Sequence, residues 1–172
     1  MSMDARSGAI EFEIHQLLLM RCSDSEKRDK LADFGISIQE ATIISDRVHR
    51  KLHLGPEQFS NLKELIDAPS ATTTSIRSRS SFWPQFDFIA ESTNFGTIGP
   101  ARYVRSGNMP TTVANPADFP LWSVTVDEFS QLFGPLQAVD SWYPNEEYVF
   151  DFDGQRYGVG FGWGLFLGID RL

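Results

Sequence analysis

Along this chain the spacing of apolar residues changes character once. Before about residue 69 it follows a helical period, and after about residue 82 it alternates as in strands. Residues 10–22 form an apolar-rich run of mostly strong helix formers. Ser23-Asp24-Ser25-Glu26 fits a capping box, and the helix it opens stops at Gly35. Ser37-Ile38-Gln39-Glu40 opens another, with Ile38, Ala41, Ile44, Val48 and Leu52 on one face. Gly55 ends that helix, and Pro56 suits the first turn of the next, whose apolar face is Phe59, Leu62, Leu65 and Ile66. Residues 69–81, PSATTTSIRSRSS, read as a linker or exposed loop with Arg77 and Arg79 as its only charges.

Strand signals follow, at 85–91, 101–105 and 121–124. The stretch MPTTVANPADFP holds too many prolines for a central strand. Thr125-Val126-Asp127-Glu128 is a third capping box, for a short helix ending at Gly134-Pro135. Residues 136–142 lead into the clearest pattern, 146–170. There Asp153-Gly154 supplies the positive φ that a two-residue hairpin turn needs. Pairing outward sets Phe152 opposite Gln155, Asp151 opposite Arg156, Phe150 opposite Tyr157 and Tyr148 opposite Val159. One face is then aromatic, and the other carries an opposite-charge pair that helps fix the register. Gly158, Gly160, Gly162 and Gly164 alternate with Val159, Phe161, Trp163 and Leu165, so one extended ribbon would have a bare face. Such a face serves close packing, strong coiling, or a groove for a partner.

The fold class expected is α+β: an N-terminal helical unit, then an antiparallel meander of five or so strands with one short helix. The expected segments are a helical unit at 1–68, a linker or loop at 69–81 and a β-rich unit at 82–172, as separate lobes or one integrated domain.

Composition changes this picture in two ways. The chain has 172 residues, 41% hydrophobic and 22% charged, which is globular, and its 14 Phe predict an aromatic core. No run approaches a membrane span, Asp4, Glu11 and Glu13 interrupt any leader-like pattern, and the single Cys22 suits a reducing compartment, so a cytoplasmic location is expected. The net charge is −8, and it is unevenly placed. Residues 106–155 contain Asp118, Asp127, Glu128, Asp140, Glu146, Glu147, Asp151 and Asp153 and no Lys or Arg. A field of one sign repels nucleic acid and attracts basic partners.

Local catalytic signatures are lacking. Asp46, His49 and His53 share one helix face, but the ligand set is incomplete and no metal or cofactor is assigned. His15 reads as a packed core histidine. Glu147, Asp151 and Asp153 lie along one strand face and offer carboxylates to a small enzyme or ligand-binding domain that uses the glycine-lined face. No G-x-S-x-G occurs. Trp122, Trp142 and Trp163 are cleft or core candidates.

Small size, acidity and the lack of a catalytic motif resemble the profile of bacterial toxin-immunity proteins. That resemblance implies a non-catalytic inhibitor that binds a basic cognate toxin, with no nucleic acid and no membrane involved. From the residues themselves, the contact candidates are Asp140, Trp142, Tyr143, Glu146, Glu147 and Asp151, where aromatic anchors stand beside acids.

Overall fold

The structure, a computed structural model, describes residues 7–67, 72, 74–108 and 112–172. It is α+β. Four helices come first: α1 (Gly8–Leu19), α2 (Asp24–Ala32), α3 (Ile38–Lys51) and α4 (Gln58–Ile66). Strands β1 (Ser75–Arg79), β2 (Phe86–Ser92) and β3 (Ile98–Arg105) follow. Helix α5 (Val126–Phe133) then precedes β4 (Gln137–Trp142), β5 (Asn145–Phe152), β6 (Gln155–Gly162) and β7 (Leu165–Arg171).

Capping fixes the helix starts. Ser23 and Thr125 make reciprocal boxes with Glu26 and Glu128, and the Ser37 hydroxyl accepts the Glu40 N–H. Pro56 lies outside α4, which begins after Glu57.

The strands form two antiparallel meanders, β1-β2-β3 and β4-β5-β6-β7, in place of the single expected meander. The proline-bearing stretch and α5 interrupt the chain between β3 and β4, so the second set pairs separately. Part of the expected linker is strand β1. Ile76 turns inward, while Arg77 and Arg79 reach Asp87 on β2 at 2.9 and 3.2 Å. Of the rest of that linker, residues 69–71 and 73 lie outside the described residues, while Ser80 and Ser81 lead on toward β2. β3 begins earlier than expected and includes Pro100, which an edge strand tolerates. The strand expected at 121–124 is absent, because Trp122 adopts φ 59°; only Thr125 bridges to Leu165.

The Asp153-Gly154 hairpin has the expected register, including Phe150 opposite Tyr157 and Asp151 opposite Arg156. The glycine ribbon does not continue as one strand. Trp163 (φ 51°) and Gly164 (φ 80°) make a second turn with positive φ at both centres, matching Asp153 (φ 50°) and Gly154 (φ 74°). It separates β6 from β7.

Two aromatic-rich cores result. One holds α1–α4 against β1–β3, together with Trp163 and Leu165. The other holds α5 against β5–β7, with the Phe129 ring packed on Phe150, Phe161 and Phe166. The helical segment thus shares its core with the first sheet. Helix α1 is buried over six consecutive residues, 12–17, including polar Glu13, His15 and Gln16. Each of the three has a partner. Glu13 accepts bonds from the Ser80 hydroxyl and the Ser81 N–H, and the Tyr103 hydroxyl donates to Gln16 at 2.5 Å. His15 Nδ1 lies 2.8 Å from Ser45 Oγ.

His15 carries a pH prediction. Burial first, and His49 second, lower its pKa from 6.5 to about 4. Below pH 6.5 the unfolded chain therefore takes a proton that the fold refuses. Stability should fall by up to about 3 kcal/mol between pH 6.5 and 4 on this account. Glu13 works in the opposite sense, since burial raises its pKa and its contribution falls as pH rises above 4.5. The difference in pH dependence between wild type and His15→Leu, from denaturant titrations, isolates the histidine. Parallel curves would show that His15 titrates normally.

Candidate interaction surface

Strand β4 is the outer edge of the second sheet, and all six of its residues are exposed. A bulge at Val139 bends it, a common feature of edges that resist further pairing. Beyond the bulge, Asp140 stands opposite Glu147, Ser141 opposite Glu146, and Trp142 opposite Asn145. Cross-strand partners share a face, so Asp140, Trp142, Asn145 and Glu147 lie together. Asp151 lies on that face too, about 13 Å further along β5 by strand rise.

Helix α1 anchors this face from the far end of the sequence. The Asn145 side chain accepts the Arg21 N–H and donates to the Leu19 carbonyl, each at 2.9 Å. Arg21 also pairs with Glu147 at 2.9 Å. Tyr143 occupies the β4–β5 turn, before a cis Pro144, with its ring edge-on to Trp163 at 5.3 Å.

The structure brings Asp140, Trp142 and Glu147 together and sets Tyr143 at the adjoining turn. It does not group Glu146 with Glu147. Alternation turns Glu146 to the opposite face, where it accepts the Tyr148 hydroxyl at 2.8 Å. Asp151 stands apart and pairs with Arg156 at 3.3 Å. Trp142 is 71% exposed and Val139 62% exposed, which makes this edge both apolar and acidic.

The acidic window is less negative outward than its sequence suggests. Glu128 is buried and bound by Arg105 at 2.6 Å; burial opposes its charge, but Arg105 and Thr125 outweigh that and hold its pKa below the usual value. Glu147 and Asp151 have arginines from outside the window. Asp118, Asp127, Asp140, Glu146 and Asp153 remain without an ion-pair partner among the described residues.

The bare sheet face lies next to this edge. It floors an open groove of about 560 Å³ whose walls include Val139, Val149, Leu167 and Leu172, with Glu147 and Asp170 toward its ends. A Cβ at Gly160 or at Gly168, its cross-strand partner, would meet nothing within 4 Å. Gly162 differs, since a Cβ there would stand 3.0 Å from Met20. Of the uses expected for a bare face, close packing occurs at Gly162, and an open groove lies over Gly160.

The remaining candidates fall elsewhere. His49 and His53 are exposed, and no group of three possible metal ligands occurs among the described residues. Trp163 is buried, and Trp122 is half-buried beside Lys30. The sequence reading missed Arg21, Asn145 and Val139. No local signal marks an Asn–helix bond across 126 residues, although the polarity of Asn145 in a buried strand start is a trace of it. The chain matches no protein-family model, no curated protein and no solved structure. No helix among the described residues is long and apolar enough to cross a membrane.

Asn145→Ala should strand the Arg21 N–H and Leu19 carbonyl and cost about 1–3 kcal/mol in denaturant stability. An unchanged midpoint would remove Asn145 as the anchor of this edge.

Proposed function

We propose that the chain is a non-catalytic acidic binding protein whose β4–β5 edge engages a basic protein partner, in the manner of a bacterial immunity protein and its toxin. The observation that carries this reading is Trp142. A large aromatic side chain, 71% exposed on an edge strand, stands beside Asp140, whose carboxylate has no ion-pair partner among the described residues. An aromatic anchor within a charged rim is the usual composition of an interface centre. Opposite charge on the partner would speed encounter, and salt would slow it over a screening length of roughly 8–10 Å.

A second reading has its own support. The groove over Gly160 and Gly168 is open and about 560 Å³, the size of a small-molecule site. Of the three carboxylates considered for chemistry, Glu147 and Asp151 are already engaged by Arg21 and Arg156. That favours binding over acid–base catalysis on this face.

The test uses a protein encoded beside this gene. Asp140→Lys should slow association and flatten its salt dependence, because it reverses one steering charge without breaking an ion pair. Trp142→Ala should speed dissociation by about tenfold or more, the effect of losing an anchor of about 1.4 kcal/mol or above. Glu146→Lys, on the other face, is the control for the anchor and should leave dissociation unchanged. Rates unchanged by Asp140→Lys and Trp142→Ala would remove this edge from the interface. Turnover of a substrate, abolished by Asp151→Asn in a folded protein, would overturn the non-enzyme reading.

A further inference from the structure

A second cleft lies between α2 and the connections β1–β2 and β3–α5. It encloses about 180 Å³, with Lys30, Phe82, Trp83, Phe86, Leu121 and Trp122 in its wall. None of these residues belongs to the β4–β5 edge.

The wall combines aromatic surface with a cation. Trp83 and Trp122 meet edge to face at 5.7 Å, and Phe82 packs on Trp83 at the same distance. Lys30 Nζ lies 5.2 Å from the Trp122 ring centre and donates to the Phe82 carbonyl at 3.0 Å. An ammonium has three donors, so this bond leaves others free. No carboxylate lies within ion-pair distance of Lys30 among the described residues, although Asp33 and Glu13 act on its charge from further off.

Two more observations set this cleft apart. The indole N–H groups of Trp83 and Trp122 are both buried with no hydrogen-bond partner among the described residues. Buried donors of this kind are rare. Trp122 also holds φ 59°, a conformation that bulky residues seldom adopt. It is fixed there by its N–H to the Phe166 carbonyl at 2.8 Å and by the Ser123 N–H to the Pro120 carbonyl at 3.2 Å. That backbone sets the indole over Lys30 and against Trp83. Strain maintained by surrounding bonds is a mark of functional positions.

The chemistry of an occupant follows from the wall. The Lys30 ammonium calls for an acceptor with negative charge. Aromatic walls call for a planar ring. A volume of 180 Å³ is below the range of nucleotide- and drug-sized sites and admits a single ring with one anionic group. We propose that this cleft binds a small aromatic carboxylate, with Lys30 facing the carboxylate and Trp122, backed by the buried Trp83, packing on the ring.

The probe is benzoate, titrated into the full chain while the four indole N–H signals are followed by ¹H–¹⁵N NMR. Trp83 and Trp122 line the cleft, whereas Trp142 is exposed elsewhere and Trp163 bonds Gln16, so the latter pair are internal controls. Saturable shifts of Trp83 and Trp122 alone are expected. Benzamide, the same ring without the charge, should bind about tenfold more weakly or worse, the effect of one charge-assisted hydrogen bond. Lys30→Met, which keeps the apolar stem, should weaken benzoate by a similar factor and leave benzamide unchanged. Equal binding of benzoate and benzamide by the wild type would overturn the proposal, whether or not the variant folds. So would the absence of saturable shifts at Trp83 and Trp122, or shifts of Trp142 in their place.

Discussion

The fold depends on a buried turn. Trp163 and Gly164 reverse the chain between β6 and β7, and every neighbouring unit bonds to them. Helix α1 accepts the Trp163 indole N–H on the Gln16 carbonyl at 3.2 Å. Strand β3 donates Tyr103 N–H to the Trp163 carbonyl, and α5 donates Val126 N–H to the Gly164 carbonyl, each at 2.9 Å. The β4–β5 turn accepts the Trp163 N–H on Pro144 at 2.9 Å and sets Tyr143 against the ring. The indole also lies 6.3 Å from both Phe12 and Phe88, in the core of the other sheet. Positive φ at tryptophan costs on the order of 1–3 kcal/mol, and this set of bonds holds it in place. One turn thus belongs to the second sheet by chain and to the first core by packing.

That constraint positions the exposed β4–β5 edge. Helix α1 carries a polar seam through its buried face: Glu13 toward the β1–β2 connection, Gln16 toward Tyr103, and its C-terminal carbonyl at Leu19 toward Asn145. Each contact fixes one element, and together they orient β5. The exposed edge β4 is then displayed by a rigid frame, with Trp142 outward and the half-exposed Tyr143 ring resting edge-on against Trp163. The same seam delivers Arg21 to Glu147, which tempers the acidity of the edge. Arg105 does likewise for Glu128 inside the protein, linking β3 to α5.

How much of this was legible in the sequence varied with the range of the cause. Ser23, Ser37 and Thr125 announced their helices because capping acts over three residues. Asp153-Gly154 announced its hairpin because the turn chemistry lies in the turn itself. Trp163-Gly164 has the same geometry but hid it, since tryptophan gives no sign of accepting positive φ without its tertiary bonds. Trp122 hid for the same reason, and a strand was expected where it bends the chain. In residues 75–79 the Ser/Arg composition read as loop, because pairing of Arg77 and Arg79 with Asp87 depends on a neighbour. At the surface, the clustered Asp140 and Trp142 of the sequence do share one face of an exposed edge strand. Adjacency in sequence misled for Glu146 and Glu147, which a strand sends to opposite faces. Of the arginines that neutralise parts of the acidic window, Arg156 is legible as the hairpin partner of Asp151, whereas Arg21 and Arg105 reach Glu147 and Glu128 only through the tertiary fold.

The central claim is that the Trp163-Gly164 turn joins two cores into one cooperative unit. Native-state hydrogen exchange at Phe88 in β2 and Val159 in β6 tests it most directly, in wild type and in Trp163→Phe, which removes the indole N–H. The account predicts one common opening free energy for both amides in the wild type, lowered together in the variant. Separate opening free energies in the wild type, or a variant in which only Val159 loses protection, would contradict it.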